Sequence, residues 1–285
     1  MGYFEPTSVA EASALYRANA GAQYLAGGAT LVALMNAGLA EPTALVSLDG
    51  IEALGGLRRL SDGAVRIGAM ARHRETAEST LFRAGQNVVP AAARQIANVP
   101  VRNMGTMGGS IAFADPAADY PAALRAADAR IEIAGEGGVR EATAASFFVD
   151  WYKTALEPGE LVVAITIPPA PAGSVGLYRK LQRVSGDFAI ASVALVLALD
   201  GLDCREIRLA VGGCGPTPVR LEEAEALLKG GRLESDRLDA AARMIADACD
   251  PVDDVRASAE YRRLVVPRMI RRTVADALAE LRGGA

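Results

Sequence analysis

The pattern of apolar and polar positions near the start of the chain predicts a short unit of mixed strands and helices. Apolar residues at helical spacing predict an amphipathic helix over residues 9–19, with Ser8 or Thr7 as its cap. A strand, a helix and a second strand are predicted to follow, over residues 23–26, 30–37 and 44–48. Such a unit can present a helix N-terminus to a phosphate group.

Residues 57–167 continue this pattern with two hairpins, two helical stretches and a buried strand. Apolar runs on either side of polar or glycine-rich turns predict the hairpins, 57–60 with 64–69 and 129–134 with 139–143. The helical stretches are predicted from about residue 74 to 96 and from Asp115 to residue 126. The apolar run at residues 160–167 predicts a buried strand. Together these elements indicate an α+β domain.

A segment rich in proline at residues 168–173 separates this region from the rest of the chain and predicts a linker. Beyond it the pattern predicts two strands and a long final helix, over residues 188–199, 207–211 and 257–281. Pro267 is expected to kink or break that helix, because proline lacks an amide hydrogen. We therefore predict a first domain over residues 1–172 and a smaller α/β domain over residues 173–285.

Composition and charge indicate a globular protein of the cytoplasm. The chain has 285 residues, a hydrophobic fraction of 51% and a net charge of −4. No apolar run approaches the roughly 20 residues that cross a bilayer, and the first residues lack the basic and apolar regions of a signal peptide. Basic residues are dispersed rather than clustered with aromatic ones, so we expect neither a transmembrane segment nor nucleic acid as a partner.

Cysteine and histidine are too few and too scattered to form a metal centre within this chain. Cys204, Cys214 and Cys249 lie far apart, and His73 is the only histidine. A zinc site or an iron–sulfur cluster is therefore not expected here. His73 lies at a predicted helix start and is interpreted as a surface or capping residue. We predict no metal ligand and no catalytic residue, so any electron transfer requires an organic cofactor.

Two separated glycine segments, each beside a hydroxyl residue, are the most informative feature of the sequence. Residues 24–30 read YLAGGAT, and residues 98–110 read NVPVRNMGTMGGS. Glycine has no Cβ and adopts positive φ easily, so a glycine-rich loop allows backbone N–H groups to converge on an anion. We interpret residues 98–110 as such a loop. Two segments of this kind favour one extended ligand with a central diphosphate, and we predict FAD.

A single pair of glycines between a strand and a helix is usually only a tight turn. The sequence has neither the G-x-G-x-x-G pattern of a Rossmann fold nor the G-x-x-x-x-G-K-[ST] pattern of a P-loop. Nicotinamide and nucleoside triphosphate therefore lack their usual support. The combination of both segments with their order and neighbours is what favours a cofactor site.

The two segments resemble the FAD motifs of one family, the medium, FAD-binding subunits of molybdenum hydroxylases such as aerobic carbon monoxide dehydrogenase and xanthine dehydrogenase. The first motif matches residues 26–30 and the second matches residues 101–110. The resemblance extends along almost the whole chain. Further matching stretches lie at residues 4–12, 115–121, 154–161, 180–183 with 186–189, and 212–213 with 216–220.

The resemblance implies a two-subdomain FAD-binding domain of the vanillyl-alcohol oxidase (PCMH) type, followed by a C-terminal domain of the carbon monoxide dehydrogenase flavoprotein type. It also implies the residues that hold FAD. The diphosphate and ribityl regions would be held by Ala26, Gly27, Gly28, Ala29, Thr30, Leu31, Thr106, Met107, Gly108, Gly109 and Ser110. Members of the family often carry a polar residue where this chain has Ala29, which weakens one hydrogen bond of the expected site but not the site itself.

Four further positions would contact other parts of the cofactor, by the same resemblance. Asp119 would bind a polar part, Leu161 would pack near the ring or the adenine, and Lys180 would lie close to the flavin. Phe188 would correspond to the aromatic neighbour of the isoalloxazine. Each has a structural alternative: a helical carboxylate for Asp119, a surface lysine for Lys180 and a core residue for Phe188.

The function implied is that of an electron-transfer subunit. A large subunit with a molybdopterin-type molybdenum cofactor would oxidise the substrate, and a small subunit with two [2Fe–2S] clusters would pass the electrons to FAD on this chain. The final acceptor would be external, such as a quinone, NAD, dioxygen or a cytochrome. The implied assembly is a heterotrimer, either single or doubled.

Two other functions remain open from the residues alone. A self-contained flavin oxidase or reductase on the same fold would need its own substrate site and an acid or base beside the ring. A scaffold subunit that has lost FAD would not need the glycines of the two segments, and those glycines are present in this chain.

Overall fold

The computed structural model of the protein describes residues 1–283 and begins with a parallel three-stranded sheet. Its strands are β1 (Gly2–Phe4), β2 (Ala22–Leu25) and β3 (Ala44–Ser47), in the order β1-β3-β2. Helices α1 (Val9–Ala18) and α2 (Leu31–Asn36) connect them. The predicted strand, glycine turn, helix and strand are confirmed. Ser8 is the cap of α1, because its hydroxyl accepts a hydrogen bond from the Glu11 amide.

A five-stranded antiparallel sheet follows, and both predicted hairpins belong to it. Its strands are β4 (Leu57–Arg59), β5 (Val65–Gly68), β6 (Arg130–Gly135), β7 (Gly138–Thr143) and β10 (Leu161–Ile167), in the order β4-β5-β10-β6-β7. The central place of β10 explains its apolar run, since a strand with neighbours on both sides and layers on both faces is buried throughout. A small hairpin of β8 (Phe148–Asp150) and β9 (Lys153–Thr154) lies between β7 and β10 in the chain.

Six helices lie between β5 and β8 in the chain: α3 (His73–Glu78), α4 (Val88–Gln95), α5 (Val99–Met104), α6 (Met107–Phe113), α7 (Asp119–Ala126) and α8 (Ala144–Phe147). The single helical stretch predicted over residues 74–96 is wrong, because α3 and α4 are separate and a 3₁₀ turn at Ala84–Asn87 precedes α4. The helix predicted from Asp115 starts four residues later. The Asp115 carboxylate accepts the Ala117 amide at 2.8 Å, which forms a turn instead of helix.

The C-terminal part is an antiparallel sheet covered by helices. Its strands are β11 (Val175–Leu181), β12 (Ala191–Asp200) and β13 (Asp203–Gly212), and its helices are α9 (Glu222–Leu228), α10 (Ser235–Asp247) and α11 (Ala259–Gly283). β11 was not predicted, and the strand predicted from Phe188 begins at Ala191. Of the kink or break predicted at Pro267, the break is wrong, since α11 continues through this residue. Val266, Ile270 and Val274 lie in the buried core and anchor the helix.

The two faces of β12 pack into two different cores. Ala194 and Val196 face the core of the five-stranded sheet, whereas Val193, Leu195 and Leu197 face the helices of the C-terminal part. Because side chains alternate along a strand, one strand can serve both cores. The C-terminal sheet is therefore packed onto the first domain. No helix within residues 1–283 is both long and apolar enough to span a membrane.

Candidate cofactor-binding site

A cavity of about 830 Å³ lies where the parallel sheet, the five-stranded sheet and the C-terminal part meet. This volume is in the upper part of the range of roughly 300–1,000 Å³ that is typical of small-molecule and cofactor sites. All of the predicted site residues except Met107 and Lys180 line it. The structure thus brings together positions as distant in the chain as Ala26, Leu161 and Phe188.

The two glycine segments are in direct backbone contact. A Cβ placed on Gly27 would lie 1.8 Å from the Met104 carbonyl oxygen and 3.0 Å from the Gly105 Cα. Only glycine allows this approach. Gly28 has a φ of +72°, so the turn after β2 also needs glycine for its conformation. The first glycine segment, residues 26–31, therefore has a shape that other residues cannot reproduce.

The first glycine segment offers free hydrogen-bond donors to the cavity. Within residues 1–283, no protein acceptor occupies the backbone N–H groups of Gly28, Ala29 and Thr30. These residues line the cavity and lead directly into α2. Backbone N–H groups that converge before a helix attract phosphate oxygens. This arrangement fits the diphosphate of a dinucleotide.

The second glycine segment, residues 98–110, is not a single loop, as the sequence predicted, because it contains α5 and the first residues of α6. At its glycine-rich end the N–H groups of Gly105 and of residues 107–110 already have protein acceptors, whereas that of Thr106 has none within residues 1–283. The Thr106 hydroxyl accepts the Gly109 amide at 3.1 Å and so caps α6, while the Gly108 amide donates to the Ala69 carbonyl at 2.8 Å. Thr106 and Ser110 line the cavity, and Met107 points into the core with no exposed surface. This segment is a wall of the site.

A buried ion pair lies at the wall of the cavity. Asp119 lines the cavity, and its carboxylate is 3.1 Å from the Lys180 ammonium and 2.7 Å from the Tyr178 hydroxyl. The Lys180 side chain has no exposed surface and also donates to the Gln95 carbonyl, so the surface alternative for this lysine is wrong. Burial raises the pKa of Asp119, and the nearby ammonium opposes that shift.

Leu161 and Phe188 contribute apolar surface from opposite parts of the molecule. Leu161 is the first residue of β10 and is buried. Phe188 is 44% exposed, so the core alternative for this residue is wrong. The guanidinium of Arg256 lies 5.1 Å from the centre of the Phe188 ring, within the range of a cation–π contact. The Asp187 carboxylate accepts the Phe188 backbone amide at 2.8 Å, and both residues line the cavity.

Sequence reasoning missed several residues of the cavity wall, and His73 is the most important. It is only 4% exposed, so its interpretation as a surface residue is wrong. Tyr24 was also missed; it stacks on Tyr16 at 4.7 Å, and its hydroxyl donates to the Gly159 carbonyl. The sequence signals for a buried position were that His73 is the single histidine of the chain and that the stretch before it, residues 64–71, is mostly apolar.

The buried histidine makes a testable contribution to stability. Burial and the nearby Arg102 lower the pKa of His73 from 6.5 to about 4. Between these values the unfolded chain binds a proton that the folded chain does not, so stability should fall as the pH drops from 6.5 to about 4. The loss should reach about 3 kcal/mol.

The measurement is the free energy of unfolding by urea at several pH values, for the wild-type chain and His73→Phe. The variant lacks the titrating group, so its stability should depend less on pH in that window. Parallel pH profiles for the two proteins would contradict the assignment.

Comparison with known proteins identifies the family. The model for the FAD-binding domain in molybdopterin dehydrogenase matches residues 1–170, and the model for the CO dehydrogenase flavoprotein C-terminal domain matches residues 176–277. The carbon monoxide dehydrogenase medium chain of Afipia carboxidovorans is 37% identical, over 97% of this chain and 96% of its own length. The 6-hydroxypseudooxynicotine dehydrogenase complex subunit alpha of Paenarthrobacter nicotinovorans is 36% identical, over 92% and 88%.

Solved structures agree with these relatives. A chain of carbon monoxide dehydrogenase from Hydrogenophaga pseudoflava, in a form that lacks the Mo-pyranopterin moiety, superimposes with a TM-score of 0.94 and 36% identity. The match covers 98% of this chain and 97% of that one. Both domains, their order and the fold are therefore those expected from the sequence. The chain belongs to the family of FAD-binding medium subunits of molybdenum hydroxylases.

Proposed function

We propose that this chain binds FAD in the cavity and transfers electrons from the [2Fe–2S] clusters of a partner subunit to an external acceptor. The observation that carries the proposal is the contact between the two glycine segments beside unoccupied backbone donors. Bound FAD supplies the one-electron and two-electron chemistry that such a transfer requires. The chain supplies the binding, orientation and electrostatics of that cofactor.

The first glycine segment is proposed to bind the diphosphate. The backbone amides of Gly28, Ala29 and Thr30 are the proposed donors to the diphosphate. Because Gly27 has no side chain, the second glycine segment packs directly against the first. The hydroxyls of Thr106 and Ser110 add polar contacts from that wall. Met107 packs in the core behind this wall and is proposed not to contact the cofactor.

The other end of the cavity is proposed to hold the flavin ring. Leu161 and Phe188 offer apolar surface for it, and Asp119 offers a polar contact. Lys180 lies behind Asp119 and is fully buried. Its charge acts in a medium of low dielectric, where a cation stabilises negative charge that develops nearby more strongly than in water.

The proposed assembly contains a large subunit with the molybdenum cofactor and a small subunit with two [2Fe–2S] clusters. The names of the relatives support this, since they describe a medium chain and a subunit of a complex. We place the assembly in the cytoplasm as a heterotrimer or its dimer, with a quinone, NAD, dioxygen or a cytochrome as acceptor. We also retain a domain boundary at residue 172, in the loop between β10 and β11.

Coexpression tests this function. A tagged form of the chain should copurify with both partner subunits when the three are produced together, and the complex should show the visible absorption of an oxidised flavin. Release and quantification of the cofactor should give one FAD for each copy of this chain. A complex that is colourless and does not take up added FAD would contradict the proposal. A yellow chain that oxidises substrates without partners would favour a self-contained flavin enzyme.

A further inference from the structure

His73 is the one residue of the cavity wall that is buried, titratable and without a place in the function proposed above. It is the first residue of α3 and is 4% exposed. It is also the only histidine of the chain. A buried imidazole is usually hydrogen-bonded, because an unpaired polar group is costly in an apolar environment.

The imidazole ring of His73 is wedged between the second glycine segment and α7. The backbone amide of His73 donates to the Gly105 carbonyl at 3.0 Å. A Cβ on Gly105 would lie 2.6 Å from Nε2 and 2.8 Å from Cδ2, so the edge of the ring lies directly against this glycine. On the opposite side, Nδ1 is 3.2 Å from the Tyr120 hydroxyl.

Tyr120 connects this contact to the buried ion pair. It is the second residue of α7, directly after Asp119, and it has no exposed surface. Any displacement of the Tyr120 backbone displaces the carboxylate that holds Lys180. The path from Gly105 through His73 and Tyr120 thus links the glycine wall to Asp119 by direct contacts.

The protonation state of the ring follows from its surroundings. Burial and Arg102 keep the imidazole neutral near pH 7, because both lower the pKa of His73. A neutral imidazole has one donor and one acceptor nitrogen. The Tyr120 hydroxyl therefore pairs with Nδ1, and either atom can be the donor of this hydrogen bond.

We propose that His73 is a positioning residue for the cofactor, which sets the second glycine segment at a fixed distance from Asp119. This inference rests on the proposed function, since it assumes that the cavity binds FAD. A histidine that merely fills the core would affect the stability of the chain but not the fit of the cavity to its ligand. The two roles therefore differ in their effect on FAD affinity.

The test compares FAD binding by assembled complexes that carry Tyr120→Phe, His73→Phe or His73→Gln in this chain. The phenylalanine variants keep a ring but remove the hydrogen bond. We expect each to weaken FAD affinity about tenfold, the lower end of the loss seen when an orienting partner is removed at metal sites. The glutamine variant keeps a polar side chain and should lose less. The dissociation constant is measured by removing FAD and adding it back, and the flavin midpoint potential is measured on the same samples.

Thr273→Val is the matched control. The Thr273 hydroxyl is buried and donates to the Met269 carbonyl within α11, and neither residue lines the cavity. Its loss should lower the unfolding temperature as the loss of a buried hydrogen bond does, without a change in FAD affinity or potential.

A spectroscopic measurement reports on the ring directly. Chain labelled with ¹⁵N-histidine and assembled with unlabelled partners gives one pair of ring nitrogen signals, because the chain has a single histidine. The signals should be those of a neutral ring, should shift when FAD is added, and should change in Tyr120→Phe.

The outcomes separate this inference from the function on which it rests. Wild-type and variant complexes with equal FAD affinity and potential would overturn the positioning role, even if the variants unfold at lower temperature. A wild-type complex that binds no FAD would overturn the proposed function and the inference together.

Discussion

Replacing Gly27 with alanine is expected to abolish FAD binding. The new methyl group would lie 1.8 Å from the Met104 carbonyl oxygen and 2.7 Å from its carbon, both of which are backbone atoms. No change of side-chain rotamer relieves such an overlap, so the two glycine segments must move apart by more than an ångström. A misplacement of about 1 Å can lower a reaction rate about a hundredfold where geometry is critical, and we expect the FAD affinity to fall by at least this order.

The matched control is Gly137→Ala, in the turn between β6 and β7. A Cβ there meets no atom within 4 Å. The measurement is the FAD content and dissociation constant of the assembled complex for both variants. The Gly137→Ala complex should have the FAD content and the dissociation constant of the wild type. If Gly27→Ala retains FAD at wild-type affinity, the contact between the glycine segments is not what shapes the site.

The sequence predicted which residues line this cavity better than it predicted which backbone N–H groups of each segment are free. The positive φ of Gly28 is a local requirement, and such a requirement can be read from neighbouring residues. The contact that requires glycine at position 27 is with Met104, and the residues around position 27 do not reveal it. The N–H group of Gly108 in the second segment is not available to an anion for a non-local reason, because it donates to the carbonyl of Ala69, directly after β5. A pattern within residues 98–110 contains no information about that partner.

The same distinction applies to the fold. The hairpins of the five-stranded sheet follow from alternating residues and turns, and they were predicted with small errors at their ends. The burial of His73 depends on Tyr120, which is 47 residues away, and the burial of Lys180 depends on Asp119, which is 61 residues away. β11 was missed because Arg179 and Lys180 interrupt its apolar pattern, although Lys180 is buried by its ion pair.

The variant Lys180→Met is expected to destabilise the folded chain by about 3–5 kcal/mol, which is the usual cost of removing one partner of a buried ion pair. The Asp119 carboxylate would then keep the Tyr178 hydroxyl but lose its only cation within hydrogen-bond distance in the described chain. The measurement is the free energy of unfolding by urea of the full chain. The double variant Asp119→Asn with Lys180→Met leaves no buried charge at the position of this ion pair and should recover much of the loss.

The pH dependence of this variant distinguishes a stranded charge from a simple packing defect. Burial already raises the pKa of Asp119, and removal of the ammonium that opposes this shift should raise it further. A raised carboxylate pKa means that the folded chain holds a proton that the unfolded chain has released. Stability is then lost as the pH rises through the folded pKa. The destabilisation by Lys180→Met should therefore be larger at pH 8 than at pH 5. An equal loss at both values, with no recovery in the double variant, would show that Lys180 acts through packing and that its charge is not available to the cofactor.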